Sequence, residues 1–360
     1  MYVTLEPCAH EGRQPPCVEA ILEAGIGRVV IASDDPSEKA SGRGPGMLRD
    51  GGVEVDSAAG EEATAARLLN QPFRKHARTG IPLVTLKLAM SMDGQTTSAP
   101  GDSPWISGPE SQQLVHRWRA ESDAIAAGIG TVLADDPLLT ARPGPSGAPF
   151  VPMGSKRRTG TPRQPLRVVF DRQARLPLDS QLLDTLDMSP VLVVVGQGAD
   201  AARVTALRQA GAETIVADGV EAALSDLGRR GITSLFLEGG RTLAAAFVDA
   251  GQIDEARTFV APILRGNPAP DDPSSEKGKG GGIRTNAASV FRNGESARDA
   301  ASPAKNPAPG RISPPSTTDR VASEHMGEAA ATGPARRIAL SRSVEEVGDD
   351  VLITARFKEW

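Results

Sequence analysis

The chain has 360 residues, of which 39% are hydrophobic and 24% charged, and a formal net charge of −5. That balance suits a soluble core of about two ordinary domains and gives no electrostatic reason for a nucleic-acid partner; aromatic residues at 3% leave little for base stacking. No apolar run approaches the ~20 residues that span a bilayer, the start has no basic-then-apolar signal region, and two cysteines make no disulfide framework, so a cytoplasmic location is expected.

Residues 1–79 alternate short apolar runs with helical patterns. Strands are expected at Tyr2–Leu5, Arg28–Ala32 and Val53–Asp56, with a helix after Cys17. A longer amphipathic helix is expected over Glu61–Arg78, with Ala65, Leu68, Leu69 and Phe73 on one stripe. The first strand runs into Glu6-Pro7-Cys8-Ala9-His10, and Pro15-Pro16-Cys17 opens the helix. A catalytic zinc takes three protein ligands plus water. Cys8 and Cys17 offer two thiolates toward such a site; the alternative is a pair of ordinary thiols. His10 stands only two residues from Cys8.

Residues 80–266 alternate again, with strands expected at Leu83–Met90, Leu166–Phe170, Val191–Val195, Thr214–Val216, Ser234–Leu237 and Thr258–Ile263. Strands alternating with helices are the pattern of an α/β layer fold. The first of these strands leads through Ser91-Met92-Asp93-Gly94 and Ser103-Pro104-Trp105-Ile106 to a helix. Ser107 is its expected N-cap, Glu110 stands at the capping-box spacing, and Leu114, Val115 and Trp118 form the apolar face.

Several residues in this region carry chemistry. Arg119 and Arg142 suit phosphate oxygens through the guanidinium fork, or belong to a solvated surface; Arg117 points elsewhere on its helix. In Thr131-Val132-Leu133-Ala134-Asp135-Asp136-Pro137-Leu138 the paired Asp residues either make a turn or supply a catalytic carboxylate. Glu238-Gly239-Gly240-Arg241-Thr242-Leu243 takes a strand through glycines into a helix. Its backbone N–H groups suit a pyrophosphate, or it is a tight turn.

Residues 267–335 are rich in Pro, Gly, Ser, Ala, Lys and Asp and lack apolar periodicity. They are expected to be disordered, either a flexible surface loop, which loop-closure entropy tolerates, or a docking segment. A final strand is expected at Val351–Ala355.

Together, Glu-Pro-Cys-x-His, Pro-Pro-Cys, Lys-Leu-Ala-x-Ser-x-Asp-Gly, Ser-x-Trp-Ile, Thr-Val-Leu-Ala-Asp-Asp-Pro and Glu-Gly-Gly resemble the bifunctional riboflavin-biosynthesis deaminase/reductase family. The resemblance runs from Tyr2 to about Gly266 and resumes near Arg337. It implies a truncated cytidine-deaminase-like N-terminal domain (1–79) and a dihydrofolate-reductase-like C-terminal domain (80–266 and 336–360), interrupted by the 267–335 insert. The implied reductase uses NADPH to reduce the ribose of a phosphorylated ribosylaminouracil. Its cofactor would meet Ala89, Trp105, Thr131, Asp135, Asp171, Gly239, Gly240, Arg241, Thr242 and Leu243. Its substrate would meet Ser103, Arg119, Leu138, Arg142 and Glu238, with Asp135 as catalytic residue. Relatives assemble as homo-oligomers through the reductase domain, and no nucleic acid or membrane partner is implied.

In the deaminase half the family's upstream His-x-Glu would complete a zinc site with Cys8 and Cys17, and that motif is absent. The expectation is an inactive deaminase half and an uncovered sheet edge at Tyr2. Two alternatives remain: a complete bifunctional enzyme whose start is mis-assigned, and a non-enzymatic remnant that docks partners. After Ala261-Pro262-Ile263-Leu264-Arg265-Gly266 the family pattern is lost until Arg337, where relatives have a glycine-rich segment.

Overall fold

The computed structural model describes residues 1–12, 14–40, 42–96, 106–142, 164–266 and 338–360; the expected 267–335 insert, Ser103 and Trp105 lie outside them. Through residue 91 the elements are β1 (Tyr2–Val3), α1 (Cys17–Glu23), β2 (Arg28–Ile31), α2 (Arg43–Asp50), β3 (Glu54–Ser57), α3 (Gly60–Leu69), α4 (Gln71–Thr79) and β4 (Leu83–Ser91). There follow α5 (Pro109–Glu121), β5 (Ala124–Gly128), α6 (Ile129–Asp135), β6 (Leu166–Phe170), α7 (Gln181–Asp184), β7 (Val191–Val195) and α8 (Ala201–Gln209). The last are β8 (Glu213–Val216), α9 (Val220–Arg229), β9 (Ser234–Leu237), α10 (Arg241–Asp249), β10 (Glu255–Ala261), β11 (Ser341–Val347) and β12 (Asp350–Arg356).

One sheet has nine strands in the order β11-β12-β10-β4-β9-β5-β6-β7-β8. Neighbours from β10 to β8 are parallel, and the β11–β12 hairpin adds antiparallel to β10. Strands buried on both faces read as continuous apolar runs, and β7 is buried at every position. The pleat sends alternate residues to opposite faces. Ala124, Ala126, Leu235 and Leu237 pack with residues of α9 and α10, whereas Ile125, Ala127, Val193 and Val195 pack with residues of α6, α7 and α8. Trp118 of α5 packs on Phe236 and Phe259, so α5 shares the second face.

A smaller parallel sheet, β1-β2-β3, packs Val29 and Ile31 against Val18 and Ile21 of α1 and Leu48 of α2. β1 is its edge, and Tyr2 there is 86% exposed. The junction with the large sheet is polar. Arg74 of α4 donates to Ser33 Oγ at 2.8 Å and to the Asp34 carbonyl at 2.6 Å. Next to it, Lys75 Nζ reaches Asp254 Oδ2 at 2.6 Å, with both side chains buried.

Three expectations are corrected. The amphipathic segment is two helices: Pro72, which lacks an N–H and starts helices better than it continues them, opens α4 after a break at Asn70. The buried face is Ala63, Ala66, Gln71, Arg74 and Lys75, while Leu69 is 64% exposed. At α5 the N-cap is Gly108, not Ser107, with Pro109 in the first turn. The anion at that helix end comes from the hairpin: Asp350 Oδ2 accepts the Gly108 N–H at 2.7 Å and the Ser111 hydroxyl at 2.6 Å, where the helix dipole favours negative charge. Finally, β10 begins at Glu255 instead of Thr258, because its ladder with β4 runs from Glu255↔Thr85 to Ala261↔Ser91.

Candidate active site

β5 and β9 are adjacent and parallel, and the helices that follow them lie on opposite faces of the sheet. In open α/β sheets that arrangement places a ligand crevice beyond the carboxyl ends of the strands. β5 enters α6 directly at Gly128, and β9 enters α10 through Glu238-Gly239-Gly240. The two helix starts are tied together by the Gly240 N–H, which donates to Thr131 Oγ1 at 3.1 Å. The N–H groups of Arg241 and Thr242 have no partner among the described residues and form the positive end of α10. At Gly239 an added Cβ would lie 3.2 Å from Leu243 Cδ2, so a larger residue would need that side chain to give by a few tenths of an ångström.

Glu238 directly precedes this turn. Arg119 donates Nε and Nη2 to its two carboxylate oxygens at 2.5 and 2.8 Å, a fork-to-fork pair, and gives Nη1 to the Thr140 carbonyl at 3.1 Å. The pair lines a small cleft with Lys87 and His116. Burial opposes ionisation of Glu238, but Arg119 and then Lys87 and His116 outweigh it and hold its pKa below the ordinary value. Burial lowers the pKa of Lys87, offset in part by Glu238. His116 is pushed down to about 4, by burial first and then by Arg119 and Arg142, so its ring is neutral near pH 7. One carboxylate therefore faces two cationic side chains, a balance that suits an anionic ligand.

The Asp135-Asp136 pair divides its roles. Asp136 adopts φ 38° as the C-cap of α6, and its Oδ1 accepts the Gln181 N–H at 3.0 Å; this is the turn former. The Asp135 side chain is exposed and makes no hydrogen bond among the described residues, and partial desolvation raises its pKa. Leu138 is half-buried, and its carbonyl accepts from Arg167 Nη1 at 3.3 Å. Arg142 is exposed, and its backbone N–H donates to His116 Nδ1 at 3.4 Å. Ala89 is half-buried in β4, packed beside Phe259.

Asp171 stands at the end of β6, and its Oδ1 is buried without a hydrogen-bond partner among the described residues. Its side chain is fully buried, and Oδ2 accepts the Leu176 N–H at 2.8 Å to close the loop after β6. Lys87 and His116 were not among the expected site residues. Their signals are a lysine inside the apolar run Leu86-Lys87-Leu88, and a histidine three residues before Arg119, hence on the same helix face.

In the small sheet, Cys8 Sγ and Cys17 Sγ lie 3.4 Å apart, so the two expected thiols do meet. Burial and the neighbouring Cys8 raise the Cys17 pKa. No group of three or more His, Cys, Asp or Glu among the described residues could hold a metal ion, which does not fit the three-ligand requirement of catalytic zinc. Glu6 is occupied structurally, accepting the Gly42 N–H at 2.8 Å and the Asp35 N–H at 3.4 Å.

Residues 82–294 match the family described as the RibD C-terminal domain. The riboflavin biosynthesis protein RibD of Mycobacterium tuberculosis is 42% identical over 266 residues, which cover 74% of this chain and 67% of that protein. The chain belongs to the RibD family. The solved structure of Acinetobacter baumannii RibD (form 1) superposes with a TM-score of 0.68 at 30% identity, over 99% of this chain and 80% of that one. A diaminohydroxyphosphoribosylaminopyrimidine deaminase/5-amino-6-(5-phosphoribosylamino)uracil reductase from Thermotoga maritima shares the fold, with a TM-score of 0.65 at 24% identity over 99% of this chain and 79% of its own. The large sheet is thus the dihydrofolate-reductase-like domain of a riboflavin-biosynthesis protein. No helix among the described residues is long and apolar enough to cross a membrane.

Proposed function

We propose that this chain reduces the ribosyl group of 5-amino-6-(5-phosphoribosylamino)uracil to the ribitylamino product with NADPH. The observation that carries the reading is the Gly239–Thr242 turn opening directly beside the Arg119–Glu238 cleft. The Arg241 and Thr242 N–H groups suit the cofactor pyrophosphate, with Thr131 and Leu243 shaping the turn from below. NADPH, when bound, supplies the hydride. Lys87 and Arg142 offer positive charge to the phosphorylated substrate, and Glu238, oriented by Arg119, offers it an acceptor. Opening the ribosylamine breaks the bond from C1 to the ring oxygen and forms a C1=N iminium that keeps its N–H; a proton goes to that oxygen, and hydride added to C1 leaves the neutral amine. Asp135, unencumbered by internal hydrogen bonds, is the carboxyl assigned to the proton.

The test is NADPH oxidation by the purified chain given the already deaminated substrate. Turnover is expected, with a loss of about 10²–10⁴-fold in Asp135→Asn, the usual worth of general acid–base help. Undiminished turnover in that variant would remove Asp135 from the chemistry, and a folded chain without turnover would overturn the reductase reading.

Residues 1–79 we assign to a cytidine-deaminase-like domain, and 80–266 with 336–360 to the reductase. Holding two thiols and no third ligand among the described residues, the 360-residue chain is expected to carry no stoichiometric zinc and to release no ammonia from the diaminopyrimidine substrate. Elemental analysis and an ammonia assay check both.

A further inference from the structure

The loop from Leu138 to Arg142 is held by side chains instead of a strand ladder. Arg167 holds the Leu138 carbonyl, Arg119 that of Thr140, and His116 the Arg142 N–H. Leu139 bends the loop at φ 49° and buries its side chain, which keeps the loop from sliding. Between these tethers Gln164 pairs with both polar groups of one residue: its Nε2 donates to the Ala141 carbonyl and its Oε1 accepts the Ala141 N–H, each at 2.8 Å.

An amide that engages both an N–H and a C=O fixes position and orientation together. Arg119 and Arg167 divide their donors, the first with Glu238 and the second with Thr185 and Ser189. Gln164 gives both ends of its amide to the residue next to Arg142. The Arg142 backbone N–H in turn meets Nδ1 of His116, which lines the cleft, at 3.4 Å. A guanidinium adds affinity for a phosphate ester chiefly when its fork is held in place.

We infer that Gln164 is the positioning residue for Arg142, fixing the backbone from which that guanidinium extends beside His116, at the edge of the Lys87–Arg119–Glu238 cleft, and thereby the affinity for an organic phosphate. This rests on the reductase reading for the identity of the substrate, though not for the binding measurement that tests it. Calorimetric binding of ribose 5-phosphate would be compared among the wild-type chain, Gln164→Ala, Arg142→Ala and the double variant, with NADPH binding as control and thermal unfolding as a check on folding.

Gln164→Ala is expected to weaken ribose 5-phosphate about tenfold, a typical scale for an interaction lost by coupling, and to leave NADPH affinity unchanged. The double variant should bind no more weakly than Arg142→Ala alone. In turnover, KM for the phosphorylated substrate should rise by far more than kcat changes. An unchanged affinity in Gln164→Ala, equal weakening of NADPH, or full additivity in the double variant would overturn the inference, as would absence of binding by the wild type. The expected binding pattern in a chain that does not oxidise NADPH would leave the positioning role standing and overturn the reductase reading instead.

Discussion

The Lys75–Asp254 pair, with side chains 0% and 1% exposed, is closed on every side, whereas Arg119–Glu238, each 11% exposed, borders a cleft. Asp254 is saturated by internal donors: Oδ2 takes Lys75 Nζ at 2.6 Å and the Val84 N–H at 2.8 Å, Oδ1 takes Trp360 Nε1 at 3.0 Å, and Lys358 Nζ stands 3.8 Å from Oδ1. Burial lowers the Lys75 pKa, with Asp254 offsetting it in part. Around Glu238 the positive groups exceed the carboxylates, and Lys87 Nζ makes no hydrogen bond among the described residues. A buried pair enclosed by internal donors locks two parts of the chain together. One that lines a cleft beside a further lysine is arranged for something that comes from outside.

The comparison breaks most visibly at the closed pair. Lys75→Ala strands the Asp254 carboxylate in the junction and is expected to cost about 3–5 kcal/mol, the scale for breaking a buried pair, read as a fall in urea midpoint; a loss below about 1 kcal/mol would mean that the junction is not closed as described. His116 sharpens the open pair. Its pKa of about 4 lies below the ordinary value of 6.5, so the folded chain prefers the neutral ring while the unfolded chain takes up the proton first. Its contribution to stability is therefore complete above about pH 6.5 and declines as pH falls toward 4, by at most about 1.4 kcal/mol per pH unit. Stability measured across that window should have a shallower slope in His116→Gln. The smallest effect expected is that of Thr131→Val, which removes the acceptor of the Gly240 N–H. About 0.5–1.5 kcal/mol is the net worth of such a bond, and NADPH affinity should fall with it, a change absent from Lys75→Ala once that protein is folded.

Much of the fold was legible because its signals are local. β6, β7 and β9 have the bounds that their apolar runs predict. β5 was not expected: Ala124-Ile125-Ala126-Ala127-Gly128 is mostly small residues with weak strand preference, and it is a strand because neighbours bury it on both faces. β11 was missed for the opposite reason, since its residues are nearly all exposed and only pairing with β12 defines it. In the candidate site, Arg119 and Glu238 were each expected at the substrate, but their pairing across 119 positions has no signature in composition or period. That Asp171 Oδ2 closes its own loop on Leu176 was not legible, because a strand-end Asp looks the same in sequence whether it faces a ligand or caps its own loop.

The sequence by itself determined the α/β class, the family and the glycine turn that ends β9, because periodicity, apolar runs and motif spacing are properties of neighbouring residues. Tertiary structure alone decided which carboxylate each buried cation meets, which Asp of Asp135-Asp136 serves the turn, and that Gln164 holds the residue beside Arg142. The reason is physical: these outcomes depend on burial and on distances of about 3 Å, the range of a hydrogen bond, between groups that the chain brings together only after the sheet has closed around them.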